Sequence, residues 1–110
     1  MTIKEKYSCP CCGYALLEGP PYANMNARPS KPHGRPPYSE RYGMPSYDVC
    51  SCCGYEYGND DEPGTAEPFS FEVYLANWIK DGCEWFEEEK KPTNWNLESQ
   101  LKNAGIDSEE

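Results

Sequence analysis

No stretch of the 110-residue chain comes near the roughly 18 apolar residues of a membrane-spanning helix, so no such helix is expected. There is one histidine, His33, and neither an H-E-x-x-H pair nor a glycine-rich phosphate loop, which removes the commonest metalloprotease and nucleotide-binding patterns. Basic residues are scarce: ten Lys+Arg stand against 19 Asp+Glu, for a formal charge of −9 and a pI near 4.5. Phosphate neutralisation needs a basic face, so a general nucleic-acid-binding role is not expected. Apolar residues are few as well, at 37%, beside 11 prolines and 9 glycines. A core built from their side chains alone would be thin. Behind the charged start, Met-Thr-Ile-Lys-Glu-Lys, no apolar stretch follows, so an export signal is not read and a cytoplasmic chain with reduced thiols is expected.

What the chain has instead is cysteine. Seven in so short a sequence, an odd number with no export signal, point to a metal before disulfides. A single domain spanning residues 1–110 is expected, in four stretches. Residues 1–17 and 49–67 carry the cysteine clusters. Residues 18–48 between them hold seven prolines and read as a long loop, since proline removes a backbone donor and fixes φ. Residues 68–110 read as a helical tail.

The strongest signal is an internal repeat. Cys9-Pro10-Cys11-Cys12-Gly13-Tyr14 returns 41 residues later as Cys50-Ser51-Cys52-Cys53-Gly54-Tyr55. Each copy contains C-x-x-C-G, the pattern of a metal knuckle. Two thiolates three residues apart reach one ion only across a tight turn, which Pro10 pre-sets and Gly13 and Gly54 can close in the left-handed conformation. Two such turns facing each other make a closed four-thiolate tetrahedron. The predicted metal ligands are Cys9, Cys12, Cys50 and Cys53. Cys11 and Cys52 fall at the x position and are read as thiols beside the site, with a redox-sensitive pair as the alternative. Cys83 reads as a small buried apolar residue. Thiolates suit zinc or iron, and Zn2+ is the expected cofactor with Fe as the alternative.

In the tail, Phe71, Tyr74, Leu75, Trp78 and Ile79 share one face of a 3.6-residue period, with Ser70 as N-cap and Gly82 as stop. A shorter helix over 97–103 is capped by Asn96 and stopped by Gly105, and Trp85 and Phe86 are expected to fold back on the core. Short antiparallel strands are expected beside each knuckle, 7–9 with 14–17 and 47–50 with 55–57. The expected fold is therefore small α+β, a zinc-ribbon or rubredoxin-like double knuckle with C-terminal helices. The acidic run Asn59-Asp60-Asp61-Glu62 lacks the alternating ligands of a calcium loop and reads as a polar turn. Residues 107–110 read as a frayed end.

YSCPCCGY followed by YDVCSCCGYEYGNDD resembles the bacterial cysteine-rich CPCC family, small uncharacterised proteins with a CPCCGY start and an acidic second knuckle. NWIKDGCEWF and KPTNWNLESQLKNAGI resemble the helices such proteins append. Residues 18–48 look like an insertion, and Ser51 stands where a proline is common. The resemblance implies a metal site and no particular reaction, so no catalytic residue is assigned.

Charge is divided unevenly, +2 over residues 1–48 and −11 over 49–110. The acidic part reads first as a solvated surface and second as a docking face for a basic protein partner. Tyr22, Tyr38, Tyr42 and Tyr47 in the loop, with Arg28, Lys31, Arg35 and Arg41, read as a possible binding surface. Three functions follow. One is a zinc-stabilised protein-interaction module, immunity-type if its partner is a basic toxin. The others are a rubredoxin-like iron electron carrier and a small thiol or redox protein.

Overall fold

Ser70 opens the longest regular element. Its hydroxyl accepts from the Val73 amide at 3.1 Å, satisfying one of the free amides of the first turn. In the computed structural model, which describes residues 6–25, 35–62, 64 and 67–106, that helix runs over Phe71–Lys80. A single turn over Ser39–Tyr42 precedes it and is called α1, the ten-residue helix α2, and Leu97–Ala104 α3. A 3-10 turn occupies Glu88–Lys90 between the last two.

Both long helices end in the same way. The Cys83 and Gly82 amides donate to the carbonyls of Trp78 and Ile79, while those of Ile106 and Gly105 donate to Leu101 and Lys102. These are Schellman stops, and they turn the chain back toward the knuckles. After α2, the Phe86 and Glu87 amides bond the carbonyls of Cys52 and Ser51 at 3.0 and 2.8 Å. Trp85 is buried as expected, but Phe86 is 61% exposed, because the backbone and not the ring binds the knuckle there. Cys83 is half-buried at φ 58, held at the stop of α2, and not in the core.

The expected β-strands are absent among the described residues, which overturns the α+β zinc-ribbon or rubredoxin-like class. Three isolated bridges stand in their place, Tyr7 with Leu17, Tyr22 with Pro45 and Val49 with Glu56. The reason is local. Beside the first knuckle, the Cys9 amide donates to the Tyr14 carbonyl, and Tyr7 and Leu17 exchange both their hydrogen bonds. The outgoing arm thus carries one residue more than the incoming arm, and such a bulge breaks a ladder. Beside the second, the pairing stops where Tyr47 turns to φ 63 on one arm and Gly58 to φ 95 on the other.

Residues 18–48 are not an appended loop where they are described. Tyr22 and Tyr38 are completely buried, joined by Tyr55, Tyr57 and Phe71 in one aromatic cluster, so they offer no binding surface. The Tyr38 and Phe71 rings stack with centroids 3.9 Å apart, and Tyr22 meets Tyr38, Tyr57 and Phe71 edge-on. Tyr47 is exposed. Arg28, Lys31 and His33 lie outside the described residues, as do residues 107–110. Residues 59–61 lie in a turn, as expected, but Asp61 in it is buried. It is 1% exposed, and its carboxylate accepts from the Tyr22 hydroxyl at 2.7 Å, the Tyr38 amide at 3.1 Å and the Gly58 amide at 2.8 Å. A second cluster packs Trp78, Trp85 and Trp95 together, with Tyr14 edge-on to Trp85.

So many buried phenols make the fold sensitive to alkali. Burial pushes Tyr38 up to about 12 and raises Tyr22, Tyr55, Tyr57 and Tyr74 above the ordinary tyrosine range. Because the folded values lie above the unfolded ones, this contribution is complete below about pH 10 and is lost as the pH rises further. Alkaline titration should therefore show the tyrosinate absorbance of these five residues appearing together with loss of the near-ultraviolet circular dichroism, after that of exposed Tyr47. Ionisation of these tyrosines well before any structural change would contradict the packing.

Candidate metal centre

The two knuckles have the same backbone architecture. In the first, the Gly13 amide closes the turn onto the Cys9 carbonyl at 2.9 Å, and the Cys11 amide donates to Cys9 Sγ at 3.4 Å. In the second, Gly54 closes onto the Cys50 carbonyl at 3.0 Å, and the Cys52 amide donates to Cys50 Sγ at 3.4 Å. Both glycines take φ near +85, at +89 and +83, a region that resists a side chain. Gly13 is doubly required, because a Cβ there would lie 2.9 Å from the Ala104 Cβ of α3. The repeat in the sequence is thus a repeat in hydrogen bonding.

The turns bring Cys9, Cys12, Cys50 and Cys53 together, with all four sulfurs within 4.8 Å of one another and all four residues buried. Cross-knuckle separations are 3.7 Å between Cys12 and Cys50 and 4.0 Å between Cys9 and Cys53. Tetrahedral sulfur ligands about 2.3 Å from a zinc ion stand about 3.8 Å apart, so the set fits a metal ion of that size. Four cysteines in this arrangement can hold one.

Electrostatics point the same way. Burial, followed by the neighbouring thiols, pushes Cys12 and Cys53 well above the ordinary thiol range. At Cys50 burial also acts upward, but hydrogen bonds from Cys12, Cys53 and Cys9 outweigh it and hold the thiol well below that range. Several buried negative charges in so small a space repel. A divalent cation offsets that repulsion and displaces the protons.

Cys11 and Cys52, expected beside the site, are as buried as the predicted ligands, at 1% and 0% exposure. Cys11 Sγ lies 3.5 Å from the Phe71 carbonyl at the start of α2, and burial pushes its thiol up to about 11. Cys52 Sγ accepts from Gln100 Nε2 of α3 at 3.5 Å. The same Gln100 nitrogen reaches the Cys12 carbonyl at 3.0 Å, and its oxygen accepts from Trp95 Nε1 at 2.9 Å. The third cysteine of each cluster therefore ties a knuckle to a helix. Cys83 does not join the cluster.

Sequence reasoning missed Gln100 and Asp61. Gln100 is 88 residues from Cys12 and sits in an ordinary polar helix, so nothing local marks it. Asp61 is hidden in a run of acidic residues. Ser51, in place of the expected proline, donates to Glu87 in the segment that follows α2, so here the second knuckle gains a side-chain anchor.

Among the described residues no helix is long and apolar enough to cross a membrane. No family model matches the chain, and no solved structure matches it. The chain is similar to the uncharacterized protein YoaQ of Bacillus subtilis (strain 168), 26% identical over an alignment 91 residues long that covers 73% of this chain. The matched region spans 63% of that protein's length.

Proposed function

We propose that Cys9, Cys12, Cys50 and Cys53 hold one zinc ion in a structural role, and that the protein is an interaction module built around it. The observation that carries the reading is the convergence of four buried sulfurs, donated by two matched turns, within 4.8 Å. Four thiolates close a tetrahedron and leave no position for water or substrate, which suits a structural ion. None of the four residues is more than 5% exposed, which favours a structural ion over an electron-exchange centre. A thiol enzyme needs an accessible, activated sulfur, and the burial of Cys11 and Cys52 argues against one at either position.

The resemblance to CPCC proteins supports the metal site. The charge asymmetry, −11 over residues 49–110, supports a basic protein partner, of which a toxin neutralised by an immunity-type protein is one version. Elemental analysis of protein purified without added metal tests the zinc assignment. One zinc per chain and a colourless solution are expected. Stoichiometric iron with a red colour would overturn it in favour of an electron carrier.

A further inference from the structure

The two knuckles repeat each other, and α2 and α3 hold matched positions of that repeat in a crossed pattern. In each turn the carbonyl of the second predicted ligand is capped by a helix side chain. Gln100 Nε2 of α3 donates to the Cys12 carbonyl at 3.0 Å, and the Tyr74 hydroxyl of α2 donates to the Cys53 carbonyl at 3.2 Å. The third sulfur of each cluster meets the other helix. Cys11 Sγ donates to the Phe71 carbonyl of α2, while Cys52 Sγ accepts from Gln100 of α3, both at 3.5 Å. Each helix therefore holds both knuckles. Gln100 does so with one amide whose groups are all engaged: its nitrogen serves Cys12 and Cys52, and its oxygen accepts from Trp95 Nε1 at 2.9 Å. An indole nitrogen only donates, so the amide has one orientation. The α3 backbone also presses on the first knuckle, since a Cβ on Gly13 would lie 3.0 Å from the Gln100 carbonyl oxygen.

We propose that Gln100 and Tyr74 are positioning residues that brace the two knuckles against each other and so slow loss of the ion, a role that rests on the metal reading above. Four sulfurs that must all become thiolates repel one another until a cation joins them, so the turns need holding from outside. Fixing the peptide groups that follow Cys12 and Cys53 fixes the direction in which each ligand side chain leaves the backbone. Partners of this kind, one step out from the ligands, orient the site before the ion arrives and lower the ordering cost of binding it. Release then requires a helix to let go of a knuckle. Neither Gln100 nor Tyr74 belongs to the repeat, so the brace is supplied by the helical tail.

Transfer of zinc from the loaded, reduced protein to an excess of a colorimetric chelator provides the test. Gln100→Met keeps the length but loses the donors, and Tyr74→Phe loses only a hydroxyl. Each should take up one zinc per chain and release it about tenfold faster than wild type. Two controls separate bracing from general loosening. Asn96→Ala removes the N-cap of α3 and leaves Gln100 in place, and Tyr55→Phe breaks a bond to the Phe69 carbonyl that reaches no knuckle. Both should release zinc at close to the wild-type rate. In wild type, the Gln100 side-chain amide protons should exchange with deuterium more slowly than those of exposed Asn103, a readout that stands even if Gln100→Met fails to fold. A wild-type release rate in either folded variant, equal acceleration by the controls, or exchange at Gln100 as fast as at Asn103 overturns the brace and leaves the metal reading intact. A wild-type protein that takes up no zinc removes both.

Discussion

A strong chelator is expected to unfold the protein under conditions that leave metal-independent domains intact, and Cys12→Ala is expected to show no cooperative transition at 25 °C. The helices are too short to stand alone: α1, α2 and α3 have 4, 10 and 8 residues, and isolated helices below about 12–15 residues are marginal in water. No ladder of strands among the described residues compensates. Closure of the 44-residue separation between Cys9 and Cys53 brings an entropic cost that the ion meets by joining them. Structural zinc contributes about 10–16 kcal/mol in small finger peptides, against about 5–15 kcal/mol for the whole stability of a domain. Circular dichroism during chelation and on readdition of zinc checks this. An unchanged melting midpoint after complete metal removal would show that the aromatic clusters suffice.

The second large effect is expected at Asp61. Its two oxygens accept three hydrogen bonds inside the aromatic cluster, two of them from backbone amides on separate stretches of the chain. Asp61→Ala leaves all three donors buried without partners, at about 1–3 kcal/mol each, for a loss of about 3–5 kcal/mol after partial relaxation. Asp61→Asn should rescue little. Oδ1 faces the Gly58 amide and Oδ2 faces the Tyr38 amide, so either orientation of an Asn amide sets an N–H against an N–H. Urea denaturation of the metal-loaded variants measures both losses. A loss below about 1 kcal/mol for either variant would mean that water or a rearranged loop supplies the missing acceptors. The Glu62 carboxylate beside it accepts from the Ser39 hydroxyl at an exposed site, so Glu62→Ala serves as a mild control.

The contrast between these two neighbouring acids shows where sequence reasoning stops. In the run Asn59-Asp60-Asp61-Glu62 the side chains differ little, and only the fold decides that Asp61 points inward. Its partners Tyr22 and Tyr38 come from the proline-rich stretch, 39 and 23 residues away. Proline content ruled out long helices and central strands there, and indeed α1 is a single turn. It carried no information on which tyrosines would be buried, because a tyrosine in an irregular segment has no periodicity to read. The predicted strands failed for a related reason. Knuckle turns are locally encoded, but extending their arms into ladders needs matched arm lengths, and here a bulge and a left-handed Tyr47 intervene.

The chain's own order of residues was enough to determine the two C-x-x-C-G turns, the grouping of Cys9 and Cys12 with Cys50 and Cys53, and the capped helices α2 and α3. These depend on φ preferences, ligand spacing and 3.6-residue periodicity, all of which act over a few neighbours. Only the tertiary structure decided the burial of Asp61, the reach of Gln100 to both knuckles and the absence of a sheet among the described residues. Each of those is set by contacts between segments far apart in the chain, where the free energy depends on what meets what and not on any residue's local preference.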